Sequence, residues 1–270
     1  MKKAITKAAV IALVAILTSP LFAGGSKEKD GKVITVGATP EPHAAILNLL
    51  IDDMAAEGYT LKVVEFTDYV TPNDAVESGE IDANFFQHVP YMETFNKEKN
   101  YHLVNVAGIH VEPLALYSKK YSKAADIPNG ATIAIPNDPT NEGRALLLLQ
   151  SAGYITIDAK AGLTAVPADI TSNKKNFKFR EIEAASLPRV LSDVDAAVIN
   201  GNYAIPAGLT AAKDGLIVEG KDSPYVNILT VKVGNENSPA IKALAKAMKS
   251  QKVKDYIKKT YPNGDVIAVF

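Results

Sequence analysis

Apolar residues in this chain come in short runs separated by stretches of helical period, and the same order is read twice. Ile34-Thr-Val-Gly-Ala38 and Ile133-Ala-Ile-Pro-Asn137 are β-rich runs, each followed by a Pro-containing turn and a helical stretch, His43 to Glu57 and Glu142 to Gly153. A second run comes next, Thr60 to Phe66 and Phe177 to Ile182, and a proline then opens another helical stretch, Pro72 to Ser78 and Pro188 to Ser192. Each half closes on an Asp-Ala step and a buried run, Asp82-Ala83 and Asp195-Ala196, with polar and aromatic residues just past it. Strand-helix alternation of this kind predicts α/β lobes with largely parallel sheets flanked by helices. One doubly wound sheet is the other topology that fits, but it gives no reason for the same turn chemistry to recur. Side chains at the carboxyl ends of strands in open α/β sheets face the ligand crevice, so two such ends predict two lobes across one ligand.

Two terminal segments read differently. Met1-Lys-Lys, the apolar Ala8 to Leu17 and Leu21-Phe-Ala23 form the three regions of a signal peptide over residues 1–23, and 24–31 is a charged, glycine-containing tether. The chain is therefore expected to be exported to the periplasm or cell envelope. At the other end, Ile241, Leu244, Ala245, Met248, Val253, Tyr256 and Ile257 recur at helical spacing and predict an amphipathic helix pair over Ser238 to Tyr261.

Composition narrows the chemistry. With 270 residues, a net charge of -1 and 47% hydrophobic residues, the chain has the length for two lobes and no basic surplus for nucleic acid. Cysteine is absent, which removes thiol nucleophiles, disulfides and Cys-based zinc sites. No Gly-x-Ser-x-Gly elbow or His-Glu-x-x-His pair occurs, so enzyme readings find no support. Gly215 to Asp222 has the glycine and lysine spacing of a phosphate loop, but Asp222 stands where a hydroxyl should be and Pro224 follows, so a loop between strands is expected. Glu181 and Glu183 flank Ile182 as a solvent-facing pair.

Three segments, Asn84-Phe-Phe-Gln-His-Val-Pro-Tyr91, Ile135-Pro-Asn-Asp-Pro-Thr-Asn-Glu-Gly-Arg144 and Ala197-Val-Ile-Asn-Gly-Asn-Tyr203, together resemble the methionine-binding substrate-binding proteins of the MetQ/NlpA lipoprotein family. The likeness runs from about Lys32 to the carboxyl terminus. It implies a two-lobed periplasmic-binding-protein fold of type II, a ligand such as L-methionine in the interlobe cleft, and delivery to an ABC importer permease in the cytoplasmic membrane. A monomer without cofactor or metal is expected. The family is anchored by a lipidated cysteine after the signal peptide; Gly25 stands in that place here, with no thiol to acylate.

A free amino acid needs a cationic group for its carboxylate, acceptors for its ammonium and a lining for its side chain. Arg144, in a helix opening after Asn137-Asp-Pro-Thr-Asn141, is the candidate fork, where free helix N–H groups also favour an anion. Tyr69, Phe86, His88 and Tyr91 are the candidate wall, since sulfur gains from aromatic edges; strand alternation sends Phe86 to the cleft and Phe85 to the core. His88 has no ligand-type neighbour at metal spacing and is expected to hydrogen-bond the ligand. Asparagines are common turn residues, and it is the resemblance that selects Asn202 and Asn227 as contacts, while Asn200 reads as a strand-end group.

Lobe one is expected over 32–113 and 227–270 and lobe two over 114–226, with crossovers at Val111 to Tyr117 and Tyr225 to Leu229 and hinge closure about them. The same fold could instead take a methionine-containing dipeptide or another apolar amino acid, and an exported enzyme or adhesin is the reading from a different class.

Overall fold

The computed structural model describes residues 32–220 and 223–270. The expected signal peptide, the tether with Gly25, and Lys221 and Asp222 of the glycine-rich near motif lie outside them. Among the described residues no helix is long and apolar enough to cross a membrane.

Two sheets carry the fold. The strands in chain order are β1 (Val33–Ala38), β2 (Thr60–Glu65), β3 (Ala83–His88), β4 (Leu103–Val111), β5 (Ala115–Tyr117), β6 (Thr132–Pro136), β7 (Ile155–Ile157), β8 (Ile170–Asn173), β9 (Lys178–Ile182), β10 (Ala196–Ile199), β11 (Ile217–Val218), β12 (Asn227–Lys232) and β13 (Ile267–Ala268). The first sheet has the order β13-β4-β12-β3-β1-β2, the second β11-β5-β10-β6-β9, and β7 and β8 form a separate ribbon. One doubly wound sheet is thus not what the repeat builds.

The repeat is visible in the pairing. β1 lies between β2 and β3, parallel to both, and β6 lies between β9 and β10 in the same way. The recurring Asp-Ala step has a structural reason. Asp82 Oδ2 accepts the Thr35 N–H at 2.8 Å while the Asp82 N–H donates to the Thr35 carbonyl at 2.9 Å. Asp195 repeats this on Thr132, at 2.8 and 3.0 Å. A one-methylene carboxylate is short enough to reach a backbone N–H near the start of the adjacent central strand and satisfy that donor.

Parallel pairing belongs to these three-strand units, and the added strands run antiparallel: β12 against β3 and β4, β13 against β4, β5 against β10 and β11. These strands carry the two crossings. The chain leaves the first sheet at Val111 and enters the second at Ala115, then leaves at Val218 and returns at Asn227.

Each sheet buries its own core. Ile34, Val36, Phe85, Leu229 and Val231 pack with Ile241, Leu244, Met248, Val253 and Ile257 from the helices Pro239–Met248 and Gln251–Thr260. Ile133, Ile135 and Val198 pack with Leu146 and Leu149 of the helix Pro139–Ser151. Full burial of each such side chain contributes roughly 1.5–3 kcal/mol. The helix expected over His43 to Glu57 is broken into a wide turn at Pro40–Ala44 and short helices at Ala45–Asn48 and Ile51–Ala56. Glu41, before Pro42, is held extended at φ −117° and ψ 137°, which keeps the Pro40–Ala44 turn from winding as part of a regular helix.

Candidate functional site

The carboxyl ends of β1, β3 and β4 and the amino end of β12 reach one side of the first sheet, and there they meet the ends of β6 and β10 from the second. Register places Asn227 of β12 between His88 of β3 and His110 of β4. Between the lobes lies a cavity of about 350 Å³, lined by Tyr69, Phe86, His88, Tyr91, Arg144, Asn202 and Asn227, so all seven residues singled out from sequence come together.

The apolar end is a triangle of rings. Tyr69, Phe86 and Tyr91 have centroids 5.8–6.0 Å apart, and Tyr91 Oη donates to the Tyr69 carbonyl at 2.8 Å, tying the loop before the helix Thr71–Ser78 to the helix Val89–Lys99. Phe85 points to the opposite face of β3 and is fully buried in the core. His88 caps the Val89–Lys99 helix: its Nδ1 accepts from the Tyr91 N–H, so Nε2 carries the proton and donates to Asn141 Oδ1 at 3.4 Å. Burial, and then the nearby Arg144 charge, push its pKa down to about 3, so it is a neutral donor.

The polar end centres on Arg144, in the second turn of the Pro139–Ser151 helix and buried. Its Nε donates to Glu219 Oε1 at 2.9 Å, Nη2 donates to Glu219 Oε2, and Nη2 also donates to the Glu112 carbonyl at 2.8 Å. The Tyr225 ring lies 4.3 Å from the guanidinium carbon. Glu112, Glu219 and Tyr225 all belong to the two crossings, so Arg144 is clamped to both. One edge of the fork expected for a ligand is thus taken by Glu219; these bonds use Nε and Nη2, not Nη1. The helix N–H groups proposed as an anion site are partly occupied as well, because Asp138 caps the helix and accepts from the Asn141 N–H at 3.0 Å.

The two lobes touch around the cavity. Tyr69 Oη donates to Asn202 Oδ1 at 2.5 Å, Asn202 Nδ2 reaches Thr39 Oγ1 at 3.4 Å, and Tyr203 Oη donates to the Thr67 carbonyl at 3.0 Å. Asn227 Oδ1 lies 3.0 Å from His43 Nε2.

Sequence reasoning passed over several lining residues: Gln87, Glu112, Asn141, Asn200 and Gly201. Asn200, read as a strand-end group, donates to Asn141 Oδ1 at 2.7 Å. Gln87 spends its amide on Asn73 and Asn84 within lobe one. Glu112 had one signal, a lone charge in the otherwise apolar Val111-Glu-Pro-Leu114 crossover; Glu219 was hidden in the phosphate-loop-like stretch. His43, far along the chain from the neighbouring pair His110 and Glu112, joins them so that three atoms of metal-ligand type lie within 4.8 Å of one another. Each Nε2 lies 2.8 to 3.3 Å from Glu112 Oε1, within reach to donate to it.

A second cavity, of about 330 Å³, shares Tyr69 and Tyr91 with the first and is bordered by Asp138, Glu183 and Tyr203.

Comparison with known proteins gives a consistent result. The sequence model described as NlpA lipoprotein matches residues 34–270. The membrane lipoprotein TpN32 of Treponema pallidum is 49% identical over 235 residues, covering 87% of this chain and 88% of its own. The D-methionine-binding lipoprotein MetQ of Salmonella typhimurium is 43% identical over 265 residues, 97% of each chain. The structure of a nutrient-binding protein from Burkholderia cenocepacia bound to methionine superposes with a TM-score of 0.85 at 44% identity, covering 88% of this chain and 100% of that one. On this extent of similarity, the chain belongs to the NlpA lipoprotein family.

Proposed function

We propose that this protein is an exported solute-binding protein that captures L-methionine in the interlobe cleft and hands it to an ABC importer. The observation that carries the reading is the polarity of one cavity: a clamped arginine with asparagines at one end, and a triangle of three rings at the other. Arg144 and the asparagines match an α-carboxylate and α-ammonium, and Tyr69, Phe86 and Tyr91 match a thioether. The methionine bound to the Burkholderia relative supports the same ligand class.

Residues 32–113 with 227–270 act as one lobe and 114–226 as the other, closing on the ligand about the two crossings. The closed form is what the permease reads, and the protein works as a monomer with no chemistry of its own. Export is the reading of the amino-terminal segment, in which Gly25 stands where the family carries its lipidated cysteine. A dipeptide containing methionine is the second reading, favoured by the neighbouring cavity beyond Tyr69 and Tyr91.

Native mass spectrometry of protein purified without denaturation separates these readings. A bound mass equal to methionine is the expected result. A heavier peptide overturns the first reading in favour of the second, and an empty protein that turns over a substrate overturns both.

A further inference from the structure

The two carboxyl-terminal helices carry a charge unlike that of the rest of the molecule. Residues 238–261 hold seven lysines against the single Asp255, a net +6 in a chain whose total is -1, so all other residues together carry -7. The inner face of each helix is spent on the first sheet: Ile241, Leu244 and Met248, and then Val253 and Ile257, are buried in its core. Their outer faces are therefore turned away from that same core. Lys242, Lys246 and Lys249 recur at spacings of four and three, which places them on one stripe of the Pro239–Met248 helix opposite its buried side. All three are exposed, as are the four lysines of the Gln251–Thr260 helix. Two of the seven have local partners: Lys252 Nζ meets Asp53 Oδ2 at 2.7 Å, and Lys254 Nζ donates to the Phe270 carbonyl at 2.9 Å. Among the described residues the other five have no acidic group at ion-pair distance.

Like charges gathered on one face repel one another, and a surface of opposite charge relieves that repulsion. The chemistry of the face narrows what that surface is. It contains no arginine, and so lacks the planar fork that grips a carboxylate or a base edge in fixed geometry; lysine is a point charge, suited to phosphates that move freely in a plane. Its large apolar side chains are committed to the core and are not free to insert among acyl chains. Contact is then electrostatic alone and fades with salt. We propose that these paired helices are a docking face for a bilayer that bears anionic phospholipid headgroups. The same bilayer repels the negative charge of the rest of the molecule, so the field turns the lysine face toward it. None of these lysines lines the interlobe cavity, so docking and ligand capture use different residues. The proposal takes from the importer reading only that the protein works beside a membrane, and its test needs neither importer nor amino acid.

The test is co-sedimentation of the full chain with vesicles of phosphatidylcholine alone or of phosphatidylcholine and phosphatidylglycerol in equal parts. Three proteins are compared: wild type, a face variant combining Lys242→Gln, Lys246→Gln, Lys249→Gln and Lys258→Gln, and a control combining Lys119→Gln, Lys123→Gln, Lys160→Gln and Lys178→Gln. The control removes the same charge from exposed positions in the second sheet's half of the chain. All three share one amino terminus, so differences between them report the replaced lysines, and glutamine is close to lysine in helix propensity, so the folds are kept. At about 0.1 M salt wild type should prefer the mixed vesicles at least tenfold, and about 1 M salt, where the screening length falls to about 3 Å, should abolish the preference. The face variant should bind the mixed vesicles about tenfold or more weaker than wild type, and the control within about threefold of it. Equal binding of wild type to both vesicles, or equal losses in the face variant and the control, overturns the proposal. Calorimetric titration with L-methionine is read alongside: a chain that docks through this face but binds no methionine keeps the docking face and loses the amino-acid reading, and the reverse result does the opposite.

Discussion

Asp82 and Asp195 are the same residue used twice, each closing a ring of two hydrogen bonds on a threonine of the neighbouring central strand. The Thr132 N–H, and then Lys120 at 3.2 Å, hold the Asp195 carboxyl below its ordinary pKa. Replacing either aspartate by alanine leaves a backbone donor without its charged acceptor and should cost about 1–3 kcal/mol in urea unfolding. Ligand affinity of the folded variant should stay near wild type, since neither aspartate lines the cavity.

Three buried imidazoles give a signature in pH. Burial pushes His43 down to about 4 and His88 and His110 to about 3, from 6.5. A depressed imidazole pKa means that the unfolded chain binds protons the folded chain does not, so stability is full above pH 6.5 and falls as pH drops toward the folded value. Glu142, raised to about 7 by burial and by Glu181, works the other way between its ordinary 4.5 and 7, as does Glu112, raised by burial. Their opposition ends near pH 4.5. Three imidazoles outnumber the two carboxylates, so urea midpoints of ligand-free protein should fall from pH 6.5 downward and more steeply below 4.5. A His110→Gln variant should show a shallower drop, by about 1.4 kcal/mol per pH unit; an unchanged slope would show that His110 already binds its proton when folded.

At the scale of elements, the strand-helix repeat, the Asp-Ala strands and the amphipathic carboxyl-terminal helix pair were legible because each has a local period or a punctuating residue. The antiparallel β4, β5, β12 and β13 were not, since a strand's direction in a sheet depends on partners far along the chain. The same distance hid the site's second half. His43 meets His110 and Glu112 only when the turn at Pro40–Ala44 folds against the ends of β4 and β12, and nothing local to His43 announces it. Arg144 was found from its motif, but not its clamp of Glu219 and Tyr225 on the returning crossover.

The contact between the Gly201–Ala204 turn and the first crossing gives an element-scale prediction. A Cβ on Gly201 would sit 2.8 Å from Glu112 Oε2 and 2.9 Å from Glu112 Cβ, so the turn cannot seat against the crossing unless that position is glycine. Gly201→Ala should weaken methionine binding by tenfold or more, about 1.4 kcal/mol, and also lower the melting temperature of the ligand-free protein, because the clash is present without ligand. Wild-type affinity in this variant would mean that closure does not need that approach.

At the scale of the whole molecule, one three-strand unit is used twice, β2-β1-β3 and β9-β6-β10, and two crossings join the copies. The groups of the cavity sit near strand ends, in the loop before the Thr71–Ser78 helix, in the first two turns of helices or on a crossing, so holding a ligand and holding the lobes together share many contacts. Binding should therefore stabilise the entire chain. A ligand that binds only the folded state adds RT ln(1 + [L]/Kd), about 2.7 kcal/mol at a hundredfold excess over Kd. All amino acids share the α-carboxylate and α-ammonium, so discrimination must come from Tyr69, Phe86 and Tyr91, which favour an apolar thioether over a charged or short side chain. The most direct test of the central claim is a thermal-shift series on protein stripped of bound ligand by unfolding and refolding. L-Methionine and selenomethionine should both raise the melting temperature clearly, with aspartate, lysine and alanine giving little shift; a series in which methionine does no better than alanine would contradict the account.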